Sequence, residues 1–204
     1  MENKPKAVLI GLGGSIGSGK SVVREAFEAL SGWEVIDSDA EAKKLYCDHA
    51  VRRELKQRLG IDPVDGEGRL DKALLTELLE TEGKRETLEA VIHGALFDNL
   101  KRRTRETSSP VLLVESAILF TSGLAALCDT TIAVTAPREV RRERTLNRDR
   151  AKGEAFFEKM EARQEEERQM QEHAGYLVRN YGSHSIVLQT EKIITQILDN
   201  YAIR

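Results

Sequence analysis

The chain has 204 residues, 40% hydrophobic and 32% charged, enough for one compact core with a smaller inserted lobe. Its formal net charge of −3 argues against a protein that coats nucleic acid or an anionic membrane. Cys47 and Cys128 are too few to staple a secreted scaffold, and neither a secretory signal nor a run approaching the ~18 apolar residues of a spanning helix is found, so a cytoplasmic protein is expected.

Strand-like and helix-like segments alternate along the chain. KAVLIGL at residues 6–12 is a short apolar run ended by glycines, suited to a strand buried on both faces. A helix follows over residues 19–30, with Val22, Val23, Ala26, Phe27 and Leu30 recurring at three and four. EVIDSD at 34–39 is predicted as the second strand, SPVLLVES at 109–116 and TTIAVTA at 130–136 as the third and fourth, and YLVRN at 176–180 as the fifth. Strands separated by helices imply a parallel, doubly wound sheet. Between the second and third strands the pattern is mostly helical, with a turn-rich break at IDPVDGEGRLD; Leu88, Ile92, Leu96 and Leu100 repeat every four residues, as expected of a separate helical lobe. The later run RDRAKGEAFFEKMEARQEEERQMQEH is charged on nearly every side and reads as a solvated helix or a mobile lid.

The glycine-rich run after the first strand carries the sharpest motif. Gly14, Ser15, Ile16, Gly17, Ser18, Gly19, Lys20 and Ser21 satisfy G-x-x-x-x-G-K-[ST], the phosphate-binding loop, between a predicted strand and a predicted helix. Glycines let successive backbone N–H groups curl around phosphate oxygens, Lys20 spans the β- and γ-phosphates, Ser21 offers its hydroxyl to Mg²⁺, and the helix dipole favours the anion. ATP and Mg²⁺ are therefore the expected cofactors. The N-K-x-D base-reading segment of a guanine switch is missing, since NKPK at the start precedes the first strand and lacks the aspartate.

Other residues supply candidate chemistry, each with a plainer reading beside it. Glu115 ends a hydrophobic strand, where a carboxylate holds or orients hydrated Mg²⁺, or simply faces water. Asp37 and Asp39, two apart, point to one side of the pleat at the carboxyl edge; Asp39 has the better reach for a base, and Asp37 equally suits the N-cap of the next helix. Arg144 and Arg148 share a helical face and are candidates to grip phosphoryl oxygens, whereas Arg141 and Arg142 read as part of a solvated charged face. His93 lies beside an apolar stripe, where a structural histidine is the common case.

The ordered set GLGGSIGSGKS, VIDSDAEAKK, DGEGRLDKALL, IHGALF, ESAILFTSGL, CDTTIAV, RTLNRD and ARQEEER resembles the dephospho-CoA kinase family over about residues 8–180. The resemblance implies an α/β, three-layer P-loop NTPase fold with a parallel sheet, a helical substrate-binding insertion and a helical lid. Its expected divisions are a nucleotide-binding core at 1–38, 109–143 and 175–204, a helical substrate (CoA) lobe at 39–108 and a charged lid at 144–174. It further implies ATP- and Mg²⁺-dependent phosphorylation of the ribose 3′-hydroxyl of dephospho-CoA, with Asp39 as base, His93 near the substrate, and Arg144 and Arg148 in a lid over ATP. A small-molecule substrate is expected, with no nucleic acid, membrane or obligate protein partner. The sequence departs from the usual pattern at Gly13, Ser15, Gly94, Glu115, Ala117 and Thr121. Another P-loop nucleoside or nucleotide kinase, and a non-catalytic nucleotide-binding regulator, are the competing readings.

Overall fold

A computed structural model describes residues 6–148, 153–162 and 167–203. In chain order the elements are β1 (Val8–Gly14), α1 (Lys20–Ser31), β2 (Glu34–Asp37), α2 (Ser38–Leu45), α3 (His49–Leu59), α4 (Lys72–Glu80), α5 (Lys84–Glu106) and β3 (Val111–Glu115). A short 3-10 turn at Leu124–Leu127 then leads to β4 (Thr130–Thr135), α6 (Arg138–Arg148), α7 (Gly153–Glu161), α8 (Glu167–His173), β5 (Tyr176–Arg179) and α9 (Ile186–Asn200). The chain divides into a sheet unit, Met1–Asp37 with Thr104–Arg204, and a helical unit, Ser38–Arg103. The expected divisions differ slightly: the boundary after the second strand falls one residue earlier, the return falls within α5, and the described residues of 144–174 group with the sheet. Residues 149–152 and 163–166 of the expected lid lie outside the described residues.

The sheet is parallel throughout, in the order β2-β3-β1-β4-β5. Strands covered by helices on both faces must be apolar at successive positions, and Val111, Leu112, Leu113 and Val114 are all fully buried. Alternation then assigns the faces. Ile10 and Leu12 of β1 join Val23 and Phe27 of α1 and Ile193 and Ile197 of α9 in one cluster, where Phe27 stacks on Trp33 at 5.8 Å. Each such large side chain removed from water contributes about 1.5–3 kcal/mol. Val22 and Leu30, expected on the same buried stripe, are 53% and 41% exposed, because α1 turns only Val23 and Phe27 fully inward.

The opposite face explains two glycines by packing alone. A Cβ on Gly11 would stand 2.8 Å from Leu119, and one on Gly13 2.7 Å from Phe120, so the segment after β3 rests directly on β1. At Gly11 and Gly13 a side chain is thus excluded by this protein's own Leu119 and Phe120.

β2 stops at Asp37, and Ser38, only 3% exposed, begins α2. Asp39 therefore lies in the first turn of a helix and not on the strand, so the pleat argument that paired it with Asp37 does not hold. A carboxylate in a first turn is favoured by the helix dipole.

The helical unit has its own core, in which Val51 and Leu55 of α3 meet Leu75 and Leu78 of α4 and Leu88, Val91 and Ile92 of α5. The stripe Leu88, Ile92, Leu96 and Leu100 is buried as its spacing predicts. The turn-rich break is tied down by Asp65, whose carboxylate accepts from the amides of Glu67 and Arg69. Among the described residues no helix is long and apolar enough to cross a membrane.

Candidate nucleotide-binding site

β1 lies at the centre of the sheet, and residues 14–21 connect it to the first turn of α1. In an open parallel sheet the carboxyl edge beside such a central strand is where ligands bind. Three walls press on the loop. A Cβ on Gly14 would stand 2.6 Å from the Val134 carbonyl of β4. One on Gly17 would collide with the Arg141 carbonyl of α6, and one on Gly19 with the Asn180 side chain after β5. Gly17 and Gly19 also hold φ near +75° and +88°, a left-handed conformation that a side chain makes costly.

The loop carbonyls are drawn outward. Ile16 O accepts from Arg141 Nη1 at 3.5 Å, Gly17 O and Ser18 O from Arg144 Nη1 at 3.5 and 3.4 Å, and Ser18 O from Asn180 Nδ2 at 2.8 Å. In a trans peptide the carbonyl and the amide point opposite ways, so the Gly17 and Gly19 amides are turned away from these donors. The Ser18 amide closes the turn on Ser15 O at 3.0 Å. Lys20 Nζ folds back to donate to Gly14 O at 2.8 Å, and Ser18 Oγ is fully buried without a hydrogen-bond partner among the described residues. Inward amides, a helix N-terminus, a lysine and an orphaned hydroxyl together fit a polyphosphate.

The sheet brings two carboxylates to the same edge. Glu115 is in register with Leu12 of β1 and with Asp37 of β2, and Ser21 sits exposed in the first turn of α1. Glu115 is half-buried, and Arg24 Nε of α1 lies 3.0 Å from its Oε2. The oxygen donors of Ser21 and Glu115 are the hard ligands that Mg²⁺ prefers.

The arginines divide differently from the sequence expectation. Arg144 is fixed on the loop carbonyls and on Asn180 O at 2.9 Å, while Arg148 is exposed at the end of α6. Arg142 lies on the solvated face, paired with Glu154. Arg141 does not: it is 4% exposed, and its guanidinium donates to Ala136 O, Ile16 O and Glu161. Charge alone gives no signal that one arginine of a charged run turns inward. Sequence reasoning also misses Asn180, whose only signal is its place just beyond a strand.

Asp39 and His93 belong to the helical unit. Asp39 is exposed in the first turn of α2. His93 of α5 stacks on Phe97 with ring centroids 6.3 Å apart, and the adjacent Gly94 lines a groove of about 620 Å³ with Val51, Glu54, Ala90 and Val91.

Comparison with known proteins names this arrangement. The family model for dephospho-CoA kinase matches residues 8–185. A dephospho-CoA kinase of Porphyromonas gingivalis is 35% identical over 193 residues, covering 93% of this chain and 94% of the relative. That of Corynebacterium diphtheriae is 32% identical over 200 residues, covering 95% and 97%. Among solved structures, TT1252 from Thermus thermophilus superposes with a TM-score of 0.79 at 28% identity, covering 95% of this chain and 99% of that one. A Campylobacter jejuni dephospho-CoA kinase shares the fold, with a TM-score of 0.60 at 19% identity over 93% and 96% of the two chains. With the α/β P-loop fold and the resemblance both upheld, the chain belongs to the dephospho-CoA kinase family: it is a kinase, a phosphotransferase acting on an alcohol group.

Proposed function

We propose that this kinase moves the γ-phosphoryl group of ATP to the ribose 3′-hydroxyl of dephospho-CoA, yielding ADP and coenzyme A in the last step of coenzyme A synthesis. The observation that carries the nucleotide half is the loop itself, with its carbonyls held outward and one buried hydroxyl left for a ligand. Family membership carries the acceptor half.

Each residue then has a role. Gly14 to Ser21 cradle the β- and γ-phosphates, with Lys20 spanning them. Ser21 and Glu115 are the residues to hold Mg²⁺, which when bound neutralises charge on those phosphates. Arg144, already anchored on the loop, and Arg148 offset the charge that develops in transfer. Asp39 accepts the proton of the attacking 3′-hydroxyl. The helical lobe at 39–108, with His93, receives the acceptor, and residues 144–174 close over ATP to exclude water, which would otherwise take the phosphoryl group. The reaction is placed in the cytoplasm, a reducing compartment in keeping with the two free thiols.

The test is a coupled ADP-release assay with ATP and Mg²⁺, run with and without dephospho-CoA and checked by product mass. ADP release that depends on dephospho-CoA, with one phosphoryl group added to it, is the expected result. ATP binding without that product would overturn the acceptor assignment and send the search to nucleosides and nucleotides.

A further inference from the structure

Among the described residues Arg141 is the buried cation that the mechanism above does not use, and three segments meet on it. Its Nε donates to Ala136 O at 3.1 Å in the turn before α6, its Nη1 to Ile16 O at 3.5 Å in the phosphate loop, and its Nη2 to Glu161 Oε1 at 2.8 Å at the end of α7. The fully buried Phe157 ring of α7 lies 6.0 Å from the guanidinium carbon. The Arg141 backbone joins in, since its carbonyl bars a Cβ on Gly17 and accepts from Thr145 Oγ1 at 2.8 Å.

We propose that Arg141, held by Glu161, is a positioning residue that sets the Ile16–Gly17 peptide of the phosphate loop and so couples α7 to nucleotide affinity. The peptide geometry supplies the reason. Ile16 O and the Gly17 N–H belong to one planar trans unit, so fixing the carbonyl on Arg141 fixes the amide in the opposite direction. A guanidinium presents its donors in a rigid planar fork, and Glu161 takes one of them. Removing the Glu161 carboxylate takes a side-chain anion from a 4% exposed cation and loosens the hold of the fork on the loop. Glu161 Oε2 also accepts from Arg138 Nε at 2.9 Å, but no hydrogen bond of Arg138 reaches the loop among those described. Arg138 therefore supplies the control: it shares Glu161 and lies over the same Phe157 ring, at 5.2 Å.

The proposal rests on the reading of residues 14–21 as a nucleotide cradle, which wild-type binding tests by itself. Affinity for ATP with Mg²⁺ is measured by calorimetry without acceptor, and the KM for dephospho-CoA by turnover, in wild type, Glu161→Ala, Glu161→Gln, Arg141→Lys and Arg138→Ala. Glu161→Ala is expected to weaken ATP about tenfold, the loss of one charge-assisted hydrogen bond. Arg141→Lys is expected to follow, because an ammonium cannot serve Ile16 O, Ala136 O and Glu161 in one plane. Glu161→Gln, which keeps an acceptor, is expected to recover most of the affinity. Arg138→Ala is expected to stay within about twofold of wild type, and the KM for dephospho-CoA is expected to stay level throughout.

An unchanged ATP affinity in both Glu161 variants overturns the proposal. So does an equal loss in Arg138→Ala, or a loss shared by both substrates, because general loosening of α7 then accounts for the effect. Failure of the wild type to bind ATP would remove the nucleotide cradle and this inference together.

Discussion

Asn180 Nδ2 donates to the Ser18 carbonyl at 2.8 Å, and the same nitrogen fills the space that a Cβ on Gly19 would need. The end of β5 thus clamps the phosphate loop, and a glycine is required at 19 for space as well as for its φ of +88°. Gly19→Ala is expected to cost about 1–3 kcal/mol of stability and to weaken ATP by tenfold or more. The two causes separate in Gly19→Ala/Asn180→Ala, where the collision is gone and the strained φ remains. By thermal unfolding, Gly19→Ala should cost less on the Asn180→Ala background than on wild type, a comparison that cancels the lost Asn180 hydrogen bond to Ser18. An equal cost on both backgrounds would show that the clash with Asn180 is not the cause.

The parts of this architecture that are legible in the sequence are those where burial dictates residue type. β1, β3 and β4 are covered on both faces, so they read as runs of apolar and β-branched residues, and the phosphate loop declares itself because few backbones need that spacing of glycine, lysine and serine. Illegible residues are those whose environment contradicts their type. Arg141 is charged yet 4% exposed, and Val22 is apolar yet 53% exposed. Asp39 reads as a strand residue because EVIDSD opens with the β-branched pair Val35 and Ile36 after Glu34, and nothing in composition marks where the backbone turns helical at Ser38. The role of Arg144 is half visible: its helical spacing suggests phosphate, whereas its observed partners are the carbonyls of Gly17, Ser18 and Asn180.

Asp39→Asn separates the base from the nucleotide cradle. The side chain keeps its size and loses its ability to take a proton, so turnover with dephospho-CoA is expected to fall roughly 10²–10⁴-fold while ATP affinity stays within about twofold. Single-turnover measurements of the transfer step, beside ATP titration, are the check. Full activity in the variant would remove Asp39 from the base role and shift attention to Asp37, which shares the carboxyl edge with Glu115.

The two thiols should differ sharply in reactivity. Cys128 is held in the segment against β1, with its Sγ donating to Leu124 O at 3.4 Å, and burial, helped by the Asp129 carboxylate, pushes its thiol up to about 12. The thiolate is the reactive form, so Cys128 stays inert at neutral pH, while Cys47 is exposed. Brief alkylation of the native protein is expected to give a single adduct at Cys47 by mass spectrometry, and denaturant to admit the second. Comparable labelling of Cys128 in the folded protein would show that the segment over β1 opens readily.

Acid stability of the helical unit should carry the signature of Asp62. Arg52 donates from Nε to Oδ1 at 2.9 Å and from Nη2 to Oδ2 at 2.6 Å, and the Val64 amide adds a third donor at 3.2 Å. The Arg52 hydrogen bonds, and after them the Val64 amide, hold the Asp62 carboxyl below the usual carboxylate range. A carboxyl depressed in the folded state stabilises the fold above its unfolded value of about 4 and ceases to do so as pH falls through the lower folded value. Asp62→Asn is therefore expected to unfold at a slightly lower temperature than wild type near neutral pH, by a modest margin because the pair is open to solvent. The gap should close progressively as the medium is acidified below about pH 4. A gap that persists unchanged in strong acid would mean that the substituted amide disturbs the turn sterically, and that the charge of Asp62 contributes nothing to the fold.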